Sequence, residues 1–227
     1  MDKTELVDVR NAFRLIKEYQ EIVNGIVRYI KRASKIPEGD IKGHMLYSSQ
    51  LKLDRGSDYG TNPLGWGWDF LCGYVYEHFL GTETKDHKSI EISIIQLSDD
   101  GAYISETDGD EEKWIKTSSF VEAKESHSYL IFYIYVSNNS NRKGNWLFEK
   151  DKKEYDSFLI NYLKDSNTFR VIEDNNGETQ LFIRYELERF QDQSSTDEII
   201  REVAKYAYEN NQIKIFDDRY YQESMKQ

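Results

Sequence analysis

The chain has 227 residues, is rich in Tyr and Phe, and carries a formal net charge of −11. This length fits one large domain, and its aromatic side chains bury enough area to build a core without disulfides. The acidic balance disfavours general nucleic-acid binding, because Lys and Arg recognise phosphates. It fits a soluble protein whose own charge keeps its copies apart, and it also fits a protein that docks on a partner with a basic surface.

Residues 4–35 are predicted to form one long helix. Apolar side chains recur at helical spacing from Val9 to Ala33, and charged side chains fill the other positions. Thr4 is a candidate cap at the start of the helix, and Pro37 marks its end. We expect the helix to pack on the domain's own sheet. Pairing with the same helix of a second copy, as a homodimer, is the alternative.

The segment 37–87 is irregular and aromatic-rich, and its most unusual stretch reads Gly-Trp-Gly-Trp-Asp-Phe-Leu from residue 65. Exposed Trp side chains form interface hot spots, which makes this stretch a candidate binding site. The candidate residues are Trp66, Trp68 and Asp69, together with Trp146. A buried corner and a platform that stacks sugars or bases are the alternatives. Residues 69–80 are predicted as either a helix or a buried strand.

From residue 88 the pattern becomes β-rich. Predicted strands cover 89–97, 102–105, 114–123 and 129–137. The turn Asp99-Asp100-Gly101 is predicted to join the first two strands as a hairpin.

Later elements alternate between helix and strand. Helical spacing covers 150–165, and a second hairpin is predicted with strands 168–173 and 179–190 around the tight turn 174–177. A last helix is predicted over 196–210. Its candidate caps are Ser194, Ser195 and Thr196, with Glu198 as the capping-box partner.

Clustered strands joined by hairpins indicate an α+β fold. We expect an antiparallel sheet with a long N-terminal helix and two later helices packed on it. The whole chain, 1–227, is predicted to be a single domain. Its expected parts are the helix 1–36, the irregular segment 37–87, the sheet with two helices 88–215, and a frayed tail 216–227.

The sequence also predicts a cytoplasmic protein. Cys72 is the one cysteine, so no internal disulfide can form. The N-terminus lacks the basic start and apolar stretch of a signal peptide, and no apolar stretch reaches the length of a membrane span. The abundance of Asn, Lys, Ile and Tyr and the scarcity of Pro and Ala suggest an AT-rich genome, bacterial or phage.

The best enzymatic candidates are Asp110, Glu122 and Lys124. Glu122 and Lys124 lie two residues apart on a predicted strand and would point to the same face. An Asp followed by a Glu-x-Lys strand resembles the PD-(D/E)XK nuclease superfamily, although the leading Pro-Asp pair is absent. The resemblance implies carboxylates that hold Mg²⁺, which activates water beside a phosphate. A solvated strand face is the alternative.

An acidic loop spans residues 106–112. It lacks the alternating oxygen ligands and the closing Glu of an EF-hand. Asp108, Glu111 and Glu112 are therefore candidate contacts to a basic protein partner, with a plain solvated loop as the alternative.

No cofactor is expected, because the sequence contains no Gly-rich phosphate loop and no His pair at metal-ligand spacing. We predict a non-enzymatic macromolecule-binding protein, an acidic inhibitor or immunity-type protein that acts by protein–protein contact. The alternative is a metal-dependent nuclease or other hydrolase.

Overall fold

The computed structural model describes residues 3–37, 41–45, 75–85, 87–101, 118, 120–138, 161–165, 167–173 and 178–221. Its two long helices are α1 (Lys3–Ala33) and α2 (Gln193–Asn211). Its strands are β1 (Lys42–Met45), β2 (Val75–Lys85), β3 (Lys88–Leu97), β4 (Tyr129–Ser137), β5 (Phe169–Glu173) and β6 (Thr179–Glu186). Short 3-10 helices cover Leu187–Arg189 and Asp218–Tyr220.

The six strands form one antiparallel sheet in the order β1-β2-β3-β4-β6-β5. The predicted α+β class is confirmed, as is the long N-terminal helix. The predicted pairing of 168–173 with 179–190 is also confirmed, although the second strand ends at Glu186 and its turn, 174–177, lies outside the described residues. Within 69–80, the described residues from Val75 onward form a strand.

The strand β3 occupies the centre of the sheet. It pairs with β4 from Ser89–Ser137 to Leu97–Tyr129, and with β2 along its other edge. The predicted hairpin at Asp99-Asp100-Gly101 is therefore wrong, because both edges of β3 are already occupied. The predicted return strand, 102–105, lies outside the described residues.

Both long helices pack on one face of the sheet. This face of β3 carries alternating Ile side chains, which is the pattern expected of a strand with one face towards an apolar layer. The fully buried side chains of this layer include Ile90, Ile92, Ile94, Phe132, Leu181 and Ile183 from the sheet, Val23 and Ile30 from α1, and Ile199, Ile200 and Val203 from α2.

A β-bulge in β2 allows the end of α1 and the residues that follow it to approach the sheet closely. The register shifts between Phe79 and Gly81, and Gly81 has a φ of 137°, a backbone conformation that favours glycine. A Cβ at Gly81 would lie 2.7 Å from Ile36 Cγ2. Lys31 Nζ donates to the Leu80 carbonyl at 2.6 Å, so the helix also satisfies a backbone acceptor at the bulge.

A buried polar network fixes α1 over β3. Gln20 and Gln96 form a reciprocal amide pair with N–O distances of 3.2 and 3.0 Å. His78 Nε2 lies 3.1 Å from Gln96 Oε1, and Tyr19 Oη donates to Ser98 Oγ at 3.0 Å. Because the amide oxygen is an acceptor, the network assigns the imidazole proton to Nε2. These contacts determine where α1 crosses the end of β3.

The C-terminal segment packs against the domain rather than fraying. The predicted tail starts at residue 216, but Phe216 is fully buried and Tyr220 and Tyr221 are also buried. Tyr221 Oη accepts hydrogen bonds from the backbone N–H groups of Ile215, at 2.9 Å, and Phe216, at 3.2 Å. The prediction is wrong for residues 216–221, and residues 222–227 lie outside the described part of the chain.

The helix α2 starts earlier than predicted. Asp192 caps it, because its side chain accepts the N–H of Ser195 at 2.8 Å while Ser195 Oγ accepts the N–H of Asp192 at 3.0 Å. The capping box is thus formed by Asp192 and Ser195 rather than by a pair ending at Glu198.

Removing one hydroxyl should test the packed C-terminal segment. We expect Tyr221→Phe to lower the free energy of unfolding by about 1–3 kcal/mol, because two buried backbone N–H groups lose their acceptor while the ring remains. Urea denaturation of the variant and the wild type measures the change. An unchanged midpoint and slope would contradict this packing.

The polar network makes stability depend on pH. Burial lowers the pKa of His78 to about 4, against the opposite effect of its hydrogen bond to Gln96. The unfolded chain therefore binds a proton below about pH 6.5 that the folded protein does not bind, and stability falls by about 1.4 kcal/mol per pH unit down to pH 4.

We expect His78→Gln to remove this contribution, since Gln does not titrate. Urea denaturation at several values between pH 7 and pH 4 should give a shallower loss of unfolding free energy for the variant than for the wild type. The comparison uses the slope, so any constant loss of stability in the variant cancels. Parallel slopes would refute the assignment to His78.

Candidate interaction surface

The N-terminal half of α1 extends beyond the sheet. Tyr19 contacts Ser98, the residue that follows β3, while the residues buried against the sheet begin at Val23. The sixteen residues before Tyr19, about 24 Å of helix at 1.5 Å per residue, therefore extend past the contact with Ser98.

This projecting segment carries exposed apolar side chains. Phe13 is 53% exposed and Leu15 is 67% exposed, although side chains of these types are normally buried in a folded domain. The exposed large apolar residues of α1 are Leu6, Val7, Val9, Phe13, Leu15 and Ile22. Clustered apolar exposure of this kind marks a contact surface.

Acidic side chains collect at the same end of the sheet. Two backbone connections bring them together: the N–H of His127 donates to Asp100 Oδ1 at 2.8 Å, and the N–H of Leu187 donates to the Ser128 carbonyl at 2.8 Å. We call this region the acidic end, and its acidic residues are Asp99, Asp100, Glu122, Glu125, Glu186 and Glu188.

Of the basic groups that the structure describes near the acidic end, Lys124 pairs with Glu122 there, and two arginines are engaged elsewhere. The Arg184 guanidinium donates to the carbonyl oxygens of Tyr162 and Asp165. Arg189 Nη2 lies 3.1 Å from the Glu202 carboxylate. The acidic charges at this end therefore exceed the basic charges that face them, which favours contact with a basic surface.

Two pKa shifts reflect this environment. Burial raises the pKa of Asp100, and the hydrogen bond from the His127 N–H opposes the rise. Burial also raises the pKa of Tyr129, and the negative charges of Asp100, Glu186 and Glu188 add to it against the effect of Arg184. Several negative groups therefore act on a single side chain at this end.

The predicted acidic loop is attached to this end of the sheet at both sides. The N–H of Val121 donates to the Gly101 carbonyl at 3.3 Å, so the chain leaves and re-enters the described region at one place. The loop residues themselves, Asp108, Asp110, Glu111 and Glu112, lie outside the described residues. So do the aromatic candidates Trp66, Trp68, Asp69 and Trp146.

Glu122 and Lys124 do not lie on a strand. Residues 121–122 have no regular structure and 123–125 form a turn, so this part of the predicted strand 114–123 is wrong. The Lys124 ammonium lies 2.9 Å from the Glu122 carboxylate, and both side chains are more than 70% exposed. The pair therefore sits in open solvent, where it neutralises itself.

A second polar region was missed by the sequence analysis. On the sheet face opposite α1 and α2, Glu77 and Glu91 are buried on adjacent strands, and Ser93 Oγ donates to Glu77 Oε1 at 2.6 Å. Alternation of Ile with Ser and Glu in β3 is typical of a half-solvated strand, so the sequence gives no sign that these carboxylates are buried. Tyr162 packs on this face beside Phe182.

The described residues contain neither a group arranged to bind a metal ion nor a helix that could span a membrane. No group of three or more His, Cys, Asp or Glu side chains in the described ranges is arranged to hold a metal ion. None of the helices within the described part of the chain is both long and apolar enough to cross a membrane.

Comparison with known proteins gives a family. The model of the family described as PM0109 matches residues 2–212, which is most of the chain. Neither a curated protein nor a solved structure matches the chain. The chain thus belongs to the PM0109 family.

Proposed function

We propose that this protein works without catalysis, by binding another protein through the acidic end of its sheet. The partner presents a basic surface, and the protein acts on it by contact, as an inhibitor or immunity-type protein does. The observation that carries the proposal is the convergence of Asp99, Glu125, Glu186 and Glu188 at one end of the sheet, where the acidic loop 106–112 is also attached.

Charge supports this assignment. The net charge of −11 attracts a basic partner over a distance of about one Debye length, roughly 8 Å at physiological salt. Acidic side chains at such a surface orient a basic partner as it approaches. A cytoplasmic location belongs to the same proposal, since a chain with one cysteine gains nothing from an oxidising compartment.

The described residues give no comparable support to the hydrolase alternative. Catalysis by a carboxylate and a lysine requires that both groups face a substrate in a cleft where water is restricted. Glu122 and Lys124 instead pair with each other in an exposed turn. Magnesium-dependent cleavage that Glu122→Gln abolishes would support the hydrolase and contradict the proposed binding function.

A charge-reversal experiment tests the proposed surface. We expect the double variant Glu186→Lys and Glu188→Lys to lose at least tenfold in affinity for the partner, because two attractive charges become repulsive. The tagged wild type is used to capture proteins from its source cells at low salt. Bound proteins are identified by mass spectrometry and their affinities are then measured individually by titration calorimetry.

The matched control reverses two exposed acidic residues elsewhere, Glu173 at the opposite end of the sheet and Glu209 on α2. Glu173→Lys and Glu209→Lys produce the same change in net charge. A partner that the control retains and the acidic-end variant loses supports the proposal. Equal loss in both variants would show general charge attraction, and equal retention would place the contact elsewhere. Either result would overturn the proposal.

A further inference from the structure

We propose that the outward face of α1 binds the phosphodiester backbone of a nucleic acid through arginine side chains. This surface is distinct from the acidic end, so the two proposals stand or fall separately. Three features of the helix support it: its charge relative to the rest of the chain, the positions of its basic residues around the helix axis, and the contacts that these residues make.

Charge is segregated between α1 and the rest of the chain. The helix contains seven Lys or Arg and four Asp or Glu, a net charge of +3. Since the whole chain has 30 basic and 41 acidic residues, the remainder carries 23 and 37, a net charge of −14. The net charge of the whole chain disfavours general nucleic-acid binding, but a locally basic helix is the electrostatic signature of a phosphate-binding surface.

Basic side chains of α1 form a stripe along its outward face. At about 100° per residue, six of them fall within an arc of about 100°, on the side away from the buried Val23 and Ile30. From its first to its last residue the stripe is about 33 Å long, at 1.5 Å per residue. This basic stripe comprises Arg10, Arg14, Lys17, Arg28, Lys31 and Arg32.

Two arginine pairs form the ends of the basic stripe. Arg10 and Arg14 are four residues apart, and so are Arg28 and Arg32, so the members of each pair lie on neighbouring turns. Corresponding members of the two pairs are separated by five full turns, which places the pairs on the same side of the helix about 27 Å apart. An extended polyanion that runs along the helix therefore meets both pairs.

The four arginines are exposed, and none has an acidic partner among the residues that the structure describes. The ion pair on this face joins Lys17 to Glu21, and Lys31 Nζ donates to the carbonyl oxygens of Pro37 and Leu80. Like charges four residues apart on a helix repel each other. Each arginine pair is thus unfavourable in the free protein, and a bound anion relieves the repulsion.

The type of side chain favours phosphate. A guanidinium group presents a planar fork that can donate two hydrogen bonds to one phosphate. A folded protein partner needs an apolar or aromatic centre in its interface. The middle of the outward face instead carries Asn24, Gly25 and the ion pair of Lys17 with Glu21. The basic stripe therefore fits a chain of repeating phosphates better than a protein surface.

The acidic end lies on the other side of the helix. Tyr19, whose hydroxyl group contacts Ser98, is about half a turn away from Arg10 and Arg28 around the helix axis. The helix with its side chains is about 10–12 Å across, which exceeds the Debye length of roughly 8 Å at physiological salt. A phosphate chain on the outward face is therefore screened from the nearest acidic residues.

Binding of labelled oligonucleotides tests the proposal. Fluorescence anisotropy is measured with a DNA strand of about 20 nucleotides, its duplex and the RNA strand of the same sequence, at salt concentrations between about 50 and 200 mM. We expect micromolar binding at the lowest salt. For the duplex, log K should fall with log salt at a slope of roughly −3 to −4, since each of four phosphate contacts contributes about −0.9. The strongest binder of the three identifies the source of the phosphodiester chain.

Neutralising one arginine pair should weaken binding by a defined amount. We expect Arg28→Gln with Arg32→Gln to lose at least tenfold in affinity at low salt and to reduce the slope by about two. Both positions are exposed, so urea denaturation should match that of the wild type. The matched control is Arg201→Gln with Lys205→Gln, a basic pair with the same spacing on α2. It makes the same change in net charge and should keep the wild-type affinity and slope.

Three results would overturn the proposal. The first is a folded wild type that binds none of the oligonucleotides up to about 100 μM at low salt. The second is an equal loss of affinity in the α2 control, which would show general charge attraction. The third is equally strong binding of polyglutamate, or of vesicles of phosphatidylserine and phosphatidylcholine, because the basic stripe would then have no preference for a phosphodiester chain.

Discussion

The pairing of β3 with β4 determines the arrangement of the rest of the protein. Nine residues of each strand pair in unbroken antiparallel register, and both strands are almost completely buried. Because β2 and β6 occupy the outer edges of this pair, each further strand is added on one side or the other. The long connection between β3 and β4 must then start and finish at the same end of the sheet.

The acidic residues gather at that end for a topological reason. The connection places Asp99 and Asp100 beside the loop 120–128, and β6 finishes there with Glu186 and Glu188. The buried polar network also makes α1 cross the sheet at this end, where Tyr19 contacts Ser98. An acidic surface and an apolar helix thus emerge next to each other, although their residues are far apart in the chain.

The apolar pattern of α1 continues along the whole helix, but only its C-terminal half is buried. Val23 and Ile30 are fully buried, whereas Val9 and Phe13 occupy the continuation of the same face and are exposed. Burial of a large aliphatic or aromatic side chain is worth about 1.5–3 kcal/mol. The C-terminal half therefore stabilises the domain, and the N-terminal half leaves apolar area exposed.

Burial of charge on the opposite face carries a cost that the fold meets with polar neighbours. Glu77 and Glu91 are both withdrawn from solvent, and an isolated carboxylate in such a place would be strongly destabilising. Ser93 donates a hydrogen bond to Glu77, and Ser89 lies on the same face of the central strand. On this face the polar side chains are thus interspersed with buried apolar ones such as Ile95, Tyr133 and Phe182.

The sequence by itself determined the elements whose pattern is local. Helical periodicity located α1 within two residues at each end, alternating Ile residues identified β3, and the turn signal at 174–177 identified the β5–β6 pair. The sequence did not determine which partner each strand takes, because pairing depends on contacts between distant residues. The hairpin predicted at Asp99-Asp100-Gly101 is wrong for this reason. The strand β4, which begins only at Tyr129, pairs with the edge of β3 that the hairpin would have used.

Tertiary structure alone decided which side chains are exposed. The sequence predicts that Glu122 and Lys124 share one face of a strand, but they lie at a turn and pair with each other. The sequence predicts that Tyr220 and Tyr221 belong to a frayed tail, but both are buried. Tyr220 donates a hydrogen bond to Asp197, and Tyr221 accepts hydrogen bonds from the backbone of residues 215–216. A local pattern indicates which side chains are suited to burial, whereas the packing of distant segments decides whether anything covers them.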